Sequence, residues 1–273
     1  MNPPVTTPPV ILTIAGSDSG AGAGLQADLK TIAALGGYGV SVVSALTAQN
    51  TAEVRARHTP PIEFFDAQLD AVLEDFDVQA VKTGLLASAE IVARVGARAA
   101  RGDLPNLVVD PVLVSSRGDA LFDAEVEAAY RECVLAHAHV LTPNVAEAAR
   151  LLGRAVVSDD DVRNAAAELA SFGPSTVIVT GGRHCDPESA VDVVYSAGMH
   201  GELRAPRVAT ANTHGTGCSL SAAIATGLGQ GRPGLEAVAA AKAFVHAGLV
   251  GSCDWKLGRG PGPIDHFVDL RSS

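Results

Sequence analysis

Two glycine-rich stretches lie where a ligand could meet bare backbone, and the later one carries the more specific chemistry. Asn212-Thr-His-Gly215-Thr216-Gly217-Cys218 runs directly into an Ala-rich helical pattern. The amides of Gly215, Thr216, Gly217 and Cys218 can therefore point at an anion with the helix dipole behind them, which suits a phosphoryl transition state. The G-x-x-x-x-G-K-[ST] spacing is absent, so this is not a P-loop. A thiol at a helix N-terminus is expected to have a lowered pKa, which makes Cys218 a candidate base toward a substrate hydroxyl; the competing reading is a buried, inert cysteine.

The earlier stretch, Gly16-Ser-Asp-Ser-Gly20-Ala-Gly22-Ala-Gly24, separates an apolar strand pattern from a helical one. Four glycines in nine residues exceed what a short βα connection needs and let a ligand approach the backbone. Residues 22–27 also spell the G-x-G-x-x-A form of the dinucleotide fingerprint, so a Rossmann oxidoreductase is the first competitor. Against it, the fingerprint is displaced from the strand end, and Gln49 and Asn50 stand where a ribose-binding acid is expected. A substrate loop is favoured. The eight histidines show no HExxH or other close ligand spacing, which argues against zinc, and His214 is singled out only because it borders the anion loop. Ser158-Asp-Asp-Asp161 is read as a capping box with an acidic first turn.

These residues need a scaffold, and the apolar patterning supplies one. Val- and Ile-rich runs at 10–15, 40–48, 78–82, 107–111, 139–142 and 176–180 alternate with helical patterns at 25–35, 62–74, 89–100, 125–135, 145–152 and 160–172. That order predicts βαβ units and a parallel sheet. Extended stretches at 191–196 and 202–208 predict an antiparallel hairpin, and helices at 218–228 and 235–250 follow. In such sheets ligands bind beyond the carboxyl ends of the strands, where the candidate residues fall. We expect one domain over residues 10–273, preceded by a proline-rich disordered tail at 1–9. A hydrophobic content of 47% is enough for one large core. The net charge of −10 and lack of a Lys/Arg cluster argue against a nucleic-acid partner. No signal sequence or membrane span is indicated, so a cytoplasmic protein is expected, with Cys133, Cys185, Cys218 and Cys253 reduced.

Taken together, AGSDSGAGAGLQADLKT at 15–31, TAQNT at 47–51, KTGLL at 82–86, DPV at 110–112, TPN with Glu147, and NTHGTGCSLSAA at 212–223 resemble the bacterial hydroxymethylpyrimidine/phosphomethylpyrimidine kinases. The resemblance covers residues 11–267. It implies a ribokinase-like three-layer αβα sandwich, a homodimer, and Mg-ATP-dependent phosphorylation of 4-amino-5-hydroxymethyl-2-methylpyrimidine and then of its monophosphate. By the same resemblance Gln49 hydrogen-bonds the aminopyrimidine, and Ala23, Asp28, Leu85 and Val112 line the rest of its pocket. Gly215, Thr216, Gly217 and Cys218 form the anion hole. Asp110 and Glu147 lie on the magnesium side, with Asn144, Thr180 and Gly182 toward the ATP phosphates.

The chain departs from the family pattern at Thr180, where many members carry Lys, and Arg183 is the candidate electrostatic substitute. It also reads Ser19-Gly20 where a Pro-Ser pair is common. Pyridoxal kinase activity on the same fold is the nearest alternative, and a ligand-binding module that has lost catalysis is a more distant one.

Overall fold

A computed structural model of the chain describes residues 7–114, 121–182 and 188–268. Its centre is β1 (Val10–Asp18), whose residues Ile11, Leu12, Ile14 and Ala15 are fully buried, as the continuous apolar run of an inner parallel strand requires. The chain continues through α1 (Gly24–Ala34), β2 (Tyr38–Gln49), β3 (Val54–His58), α2 (Ile62–Leu73), β4 (Val78–Thr83) and α3 (Ala89–Ala100). The short strands β5 (Val108–Val109) and β6 (Val140–Leu141) flank α4 (Ala124–Ala129). Next come α5 (Val145–Leu152), α6 (Asp159–Ala170), β7 (Thr176–Gly182), the hairpin of β8 (Ser189–Ser196) and β9 (Met199–Pro206), and finally α7 (Thr216–Gly229) and α8 (Gly234–Gly251).

The strands form a single sheet in the order β3-β2-β1-β4-β5-β6-β7-β8-β9. Strands β2, β1, β4, β5, β6 and β7 are parallel, and β3, β8 and β9 add antiparallel edges. Alternation along the strands sends side chains into two cores. Leu12, Ile14 and Val81 meet Phe65 and Leu69 of α2, Val92 of α3, Leu151 of α5 and Leu169 of α6 on one face. Ile11 and Ala80 meet Ile32 of α1, Ile224 of α7 and Val238 of α8 on the other. The result is three layers. Helix α8 has the length and apolar composition of a membrane span, yet it packs Ala237, Val238, Ala241 and Val245 into this second core.

Two elements differ from the sequence expectation. Strand β3 has five exposed residues, Val-Arg-Ala-Arg-His, and carries no apolar alternation, because an edge strand needs only backbone pairing to β2. The helix expected over 125–135 instead ends as α4 and continues through a π-helical turn (Tyr130–Val134) and a 3-10 turn (Leu135–His137). The widened turn brings the Cys133 backbone against Gly96 of α3, where any side chain would collide with it. From the predicted tail, residues 7–9 have no regular structure, and residues 1–6 lie outside the described residues.

After β3 the chain returns through α2 past β2 and β1 to enter β4 on the other side of β1. A crevice therefore opens between the carboxyl ends of β1 and β4, the switch point at which open α/β sheets hold ligands.

Candidate functional site

The loop after β1 is organised by Asp18. Its carboxylate accepts from the amides of Gly20 (2.8 Å), Gly22 (3.0 Å) and Ala23 (2.9 Å), and lies 3.1 Å from Nε2 of His214. Burial alone would raise this carboxyl, but the donors from His214, Gly20 and Ala23 hold it below the usual carboxylate range. Glycine is required where the two loops meet. Gly215 has φ +82°, and a Cβ there would overlap the carbonyl oxygen of Gly22. The stretches at 16–24 and 212–218, nearly two hundred residues apart, thus form one wall.

Gln49 ends β2 beside this wall. Ser19 Oγ bonds both the carbonyl (2.7 Å) and the amide (2.8 Å) of its backbone, and its side chain reaches toward Thr47 and His214. Ala23 precedes α1, and Leu85 packs its side chain over Gly16 while its carbonyl accepts from Ser44. Val112, half-buried, follows Asp110 on the next loop.

Asp28, expected on the pocket wall, is instead fully buried. It faces the sheet from α1, paired to Lys82 of β4 at 2.8 Å and to Thr13 Oγ1 at 2.6 Å. Burial raises its carboxyl, opposed by Lys82 and Thr13. Burial in turn opposes the charge on Lys82, yet Asp28, Cys218 and Asp110 hold its ammonium charged well above the usual lysine range. Lys82 stands in the sequence as part of KTGLL, with no role expected for it. The signal was present, since a lysine amid the apolar residues of a central strand needs a buried partner, and Asp28 interrupts the apolar stripe of α1.

Helix α7 begins at Thr216, so Cys218 sits in its first turn. The expected lowering of its pKa is not found: burial pushes the thiol up to about 12, Lys82 pulls it down, and Asp110 and Asp28 push it up further. Desolvation and two neighbouring carboxylates outweigh the helix terminus. Asp110, at the end of β5, accepts from Ser221 Oγ of α7 at 3.1 Å and faces Gly217. Its carboxyl is raised by burial and by Asp28 against the pull of Lys82.

Glu147 and Asn144 form a reciprocal capping box at the start of α5, with bonds of 2.9 and 3.0 Å. Burial and the charge of Asp110 raise the Glu147 carboxyl, while the backbones of Asn144, Leu113 and Val114 bond to it. The Thr180 amide donates to Pro143 at 2.9 Å and Gly182 pairs with Val191, which completes the rim. Arg183 lies outside the described residues. Near Gly181, Lys242 of α8 pairs with the buried Asp192 at 2.7 Å. The arrangement is an arc, with a polar amide and the Asp18 loop at one end, the α7 N-terminus in the middle, and two raised carboxyls at the other.

Residues 18–265 match the phosphomethylpyrimidine kinase family model. A hydroxymethylpyrimidine/phosphomethylpyrimidine kinase from Rhizobium meliloti is 46% identical over 259 residues, covering 94% of this chain and 97% of that protein. A protein from Oryza sativa named as a probable thiamine biosynthetic bifunctional enzyme, chloroplastic, is 47% identical across 96% of this chain but 48% of its own length. The chain thus spans about half of the plant relatives it matches. Among solved structures, pyridoxal kinase from Staphylococcus aureus in complex with AMP-PCP and pyridoxal superposes with a TM-score of 0.88 at 32% identity, covering 97% of this chain and 96% of that one.

Proposed function

This chain belongs to the phosphomethylpyrimidine kinase family, and from that premise we propose that it transfers the γ-phosphoryl group of ATP to 4-amino-5-hydroxymethyl-2-methylpyrimidine and then to its monophosphate. The observation that carries this reading is the meeting of the two glycine loops. It sets the Gln49 amide beside the N-terminus of α7, with Asp110 opposite. A heterocycle with a donor and an acceptor on one edge is matched by a single amide, and the phosphoryl group in flight is matched by backbone N–H groups.

Gln49 grips the ring edge, with Ala23, Leu85 and Val112 as the apolar surround. Gly215, Gly217 and Cys218 offer amides to the transferring phosphoryl group, and the Thr216 amide, which here donates to the Thr213 carbonyl at 3.3 Å, joins them by exchanging that bond. Asn144, Thr180 and Gly182 face the nucleotide phosphates. Burial, Lys82 and the carboxylates set the protonation of Cys218: burial first, then Asp110 and Asp28, hold the thiol protonated against the pull of Lys82, and it becomes a base toward the hydroxymethyl group as those negative charges are compensated. The monophosphate needs no such base, because its oxygens are largely ionised near neutrality.

Asp110 and Glu147 fit a magnesium ion. Both carboxyls are buried and raised, and the charge of Asp110 is one cause at Glu147, a strain that a divalent cation relieves. Among the described residues there is no cluster of three His, Cys, Asp or Glu side chains able to hold a metal. This donor set suits Mg²⁺ held largely by phosphates and water. When bound, Mg²⁺ would neutralise charge on the nucleotide phosphates.

Leu46, Val54 and Phe64 are exposed along the β2, β3 and α2 edge, and we assign this edge to a homodimer contact.

The test is ADP release with Mg-ATP and hydroxymethylpyrimidine, its monophosphate or pyridoxal offered separately. Turnover of both pyrimidines with little on pyridoxal is expected. The Staphylococcus aureus structure makes pyridoxal kinase the second reading, and a preference for pyridoxal would select it. No turnover on any of the three would overturn both in favour of a binding module.

A further inference from the structure

Gln49 and His214 meet with their Nε2 atoms 3.4 Å apart, and the partners of each decide which end of the amide belongs there. His214 Nε2 also lies 3.1 Å from Asp18 Oδ2. Asp18 is an ionised acceptor already collecting backbone N–H groups, so this bond exists only if Nε2 carries a hydrogen. A ring N–H cannot accept, and an amide NH₂ turned toward it would set N–H against N–H. The other end of the amide makes the same demand. Thr47 Oγ1, 3.3 Å from the far end, donates its own hydrogen to the carbonyl of Ser17 at 2.9 Å and offers Gln49 only lone pairs. Turning the Gln49 carbonyl toward His214 and its NH₂ toward Thr47 removes both clashes: the NH₂ donates to Thr47 Oγ1, and the single Nε2 hydrogen, given to Asp18, is shared with the carbonyl across the longer contact. The rest of Gln49 is already pinned by Ser19 on both backbone groups, which leaves the amide rotation as the freedom to be fixed.

We propose that the Asp18–His214 pair sets the direction of the Gln49 amide, and through it the edge that the pocket accepts: an exocyclic amine on the His214 side and a ring-nitrogen acceptor on the Thr47 side. The proposal rests on Gln49 contacting the pyrimidine. His214 is a positioning residue; it acts through Gln49 rather than on the substrate. Its ring fits because Gly22 lacks a side chain, since a Cβ there would overlap Cδ2.

The test is a double-mutant cycle on KM for hydroxymethylpyrimidine. Losing control of one hydrogen-bonding amide, His214→Leu is expected to raise KM roughly ten-fold, with kcat and the KM for ATP within about two-fold. His214→Gln, which keeps a donor toward Asp18, restores KM to within about three-fold of the starting protein. In a Gln49→Leu background the His214→Leu change is worth less than about two-fold, because the group it positions is gone. Equal effects in both backgrounds overturn the inference alone. An unchanged KM in Gln49→Leu itself overturns the underlying substrate assignment as well. Should His214→Leu fail to fold, ¹⁵N NMR of the unmutated protein decides: a hydrogen on Nε2 is expected, and a bare Nε2 with the hydrogen on Nδ1 refutes the proposal.

Discussion

Replacing Lys82 by Met keeps the length of the side chain and removes its charge from the centre of the molecule. Lys82 Nζ and Asp28 Oδ2 are 2.8 Å apart and wholly buried. At an effective dielectric of about 20 their attraction is about 6 kcal/mol, much of it offset by the desolvation of both ions. Removing one partner alone leaves Asp28 with Thr13 as its donor and Oδ1 already without one. The expected loss is ~3–5 kcal/mol, from a total of ~5–15 for a typical domain. Urea unfolding followed by far-UV circular dichroism should show a lower midpoint at unchanged slope. The sign of the pH dependence follows from Asp28. Its folded-state pKa, already raised by burial, rises further without Lys82, so the folded protein binds the extra proton. The variant should therefore gain stability as pH falls through that pKa, a trend strongest in Lys82→Met. Adding Asp28→Leu should recover much of the loss and abolish the trend. A cost below about 1 kcal/mol, or a double variant as unstable as the sum of its singles, would refute the reasoning.

Cys218→Ala should lower turnover of the hydroxymethyl substrate by about a hundred-fold or more while affecting the monophosphate far less; equal losses in both steps would remove the base assignment. With its thiol at about 12, Cys218 in the ligand-free protein should alkylate slowly at neutral pH, and its rate should climb steadily up to about pH 9 without a plateau. An inflection below pH 8 would restore the thiolate that the helix position alone suggested. Gly215→Ala places a side chain on a positive-φ residue against the Gly22 carbonyl; it should cut turnover on both pyrimidines alike, and an active variant would show that the two loops need not touch.

The alternation of apolar strands and Ala-rich helices was legible because the central strands are largely apolar and most helices bury one face, α7 alone among those described burying most of its residues. The exposed Val-Arg-Ala-Arg-His edge was not, since nothing apolar marks it. The two glycine loops stood out by their spacing, yet their mutual contact was invisible because no local pattern pairs Gly22 with Gly215. Cys218 was correctly located at a helix start and wrongly charged: the dipole is a local property, whereas Asp110, Asp28 and Lys82 come from distant strands and a different helix. Asp28 was misplaced for a related reason. A resemblance carries a residue onto a pocket, but only packing shows that Lys82 draws it beneath the floor.

Helix α7 buries ten of its fourteen residues between sheet and α8, so the amides at its start are fixed to the most deeply held part of the molecule. Gln49, to which we assign the ring, sits by contrast at the end of β2, and His214 ties it to that helix start. On the proposed assignments, a change at Gln49 alters which ring is accepted without moving the amides of α7, whereas a change at His214, one residue before Gly215, touches both.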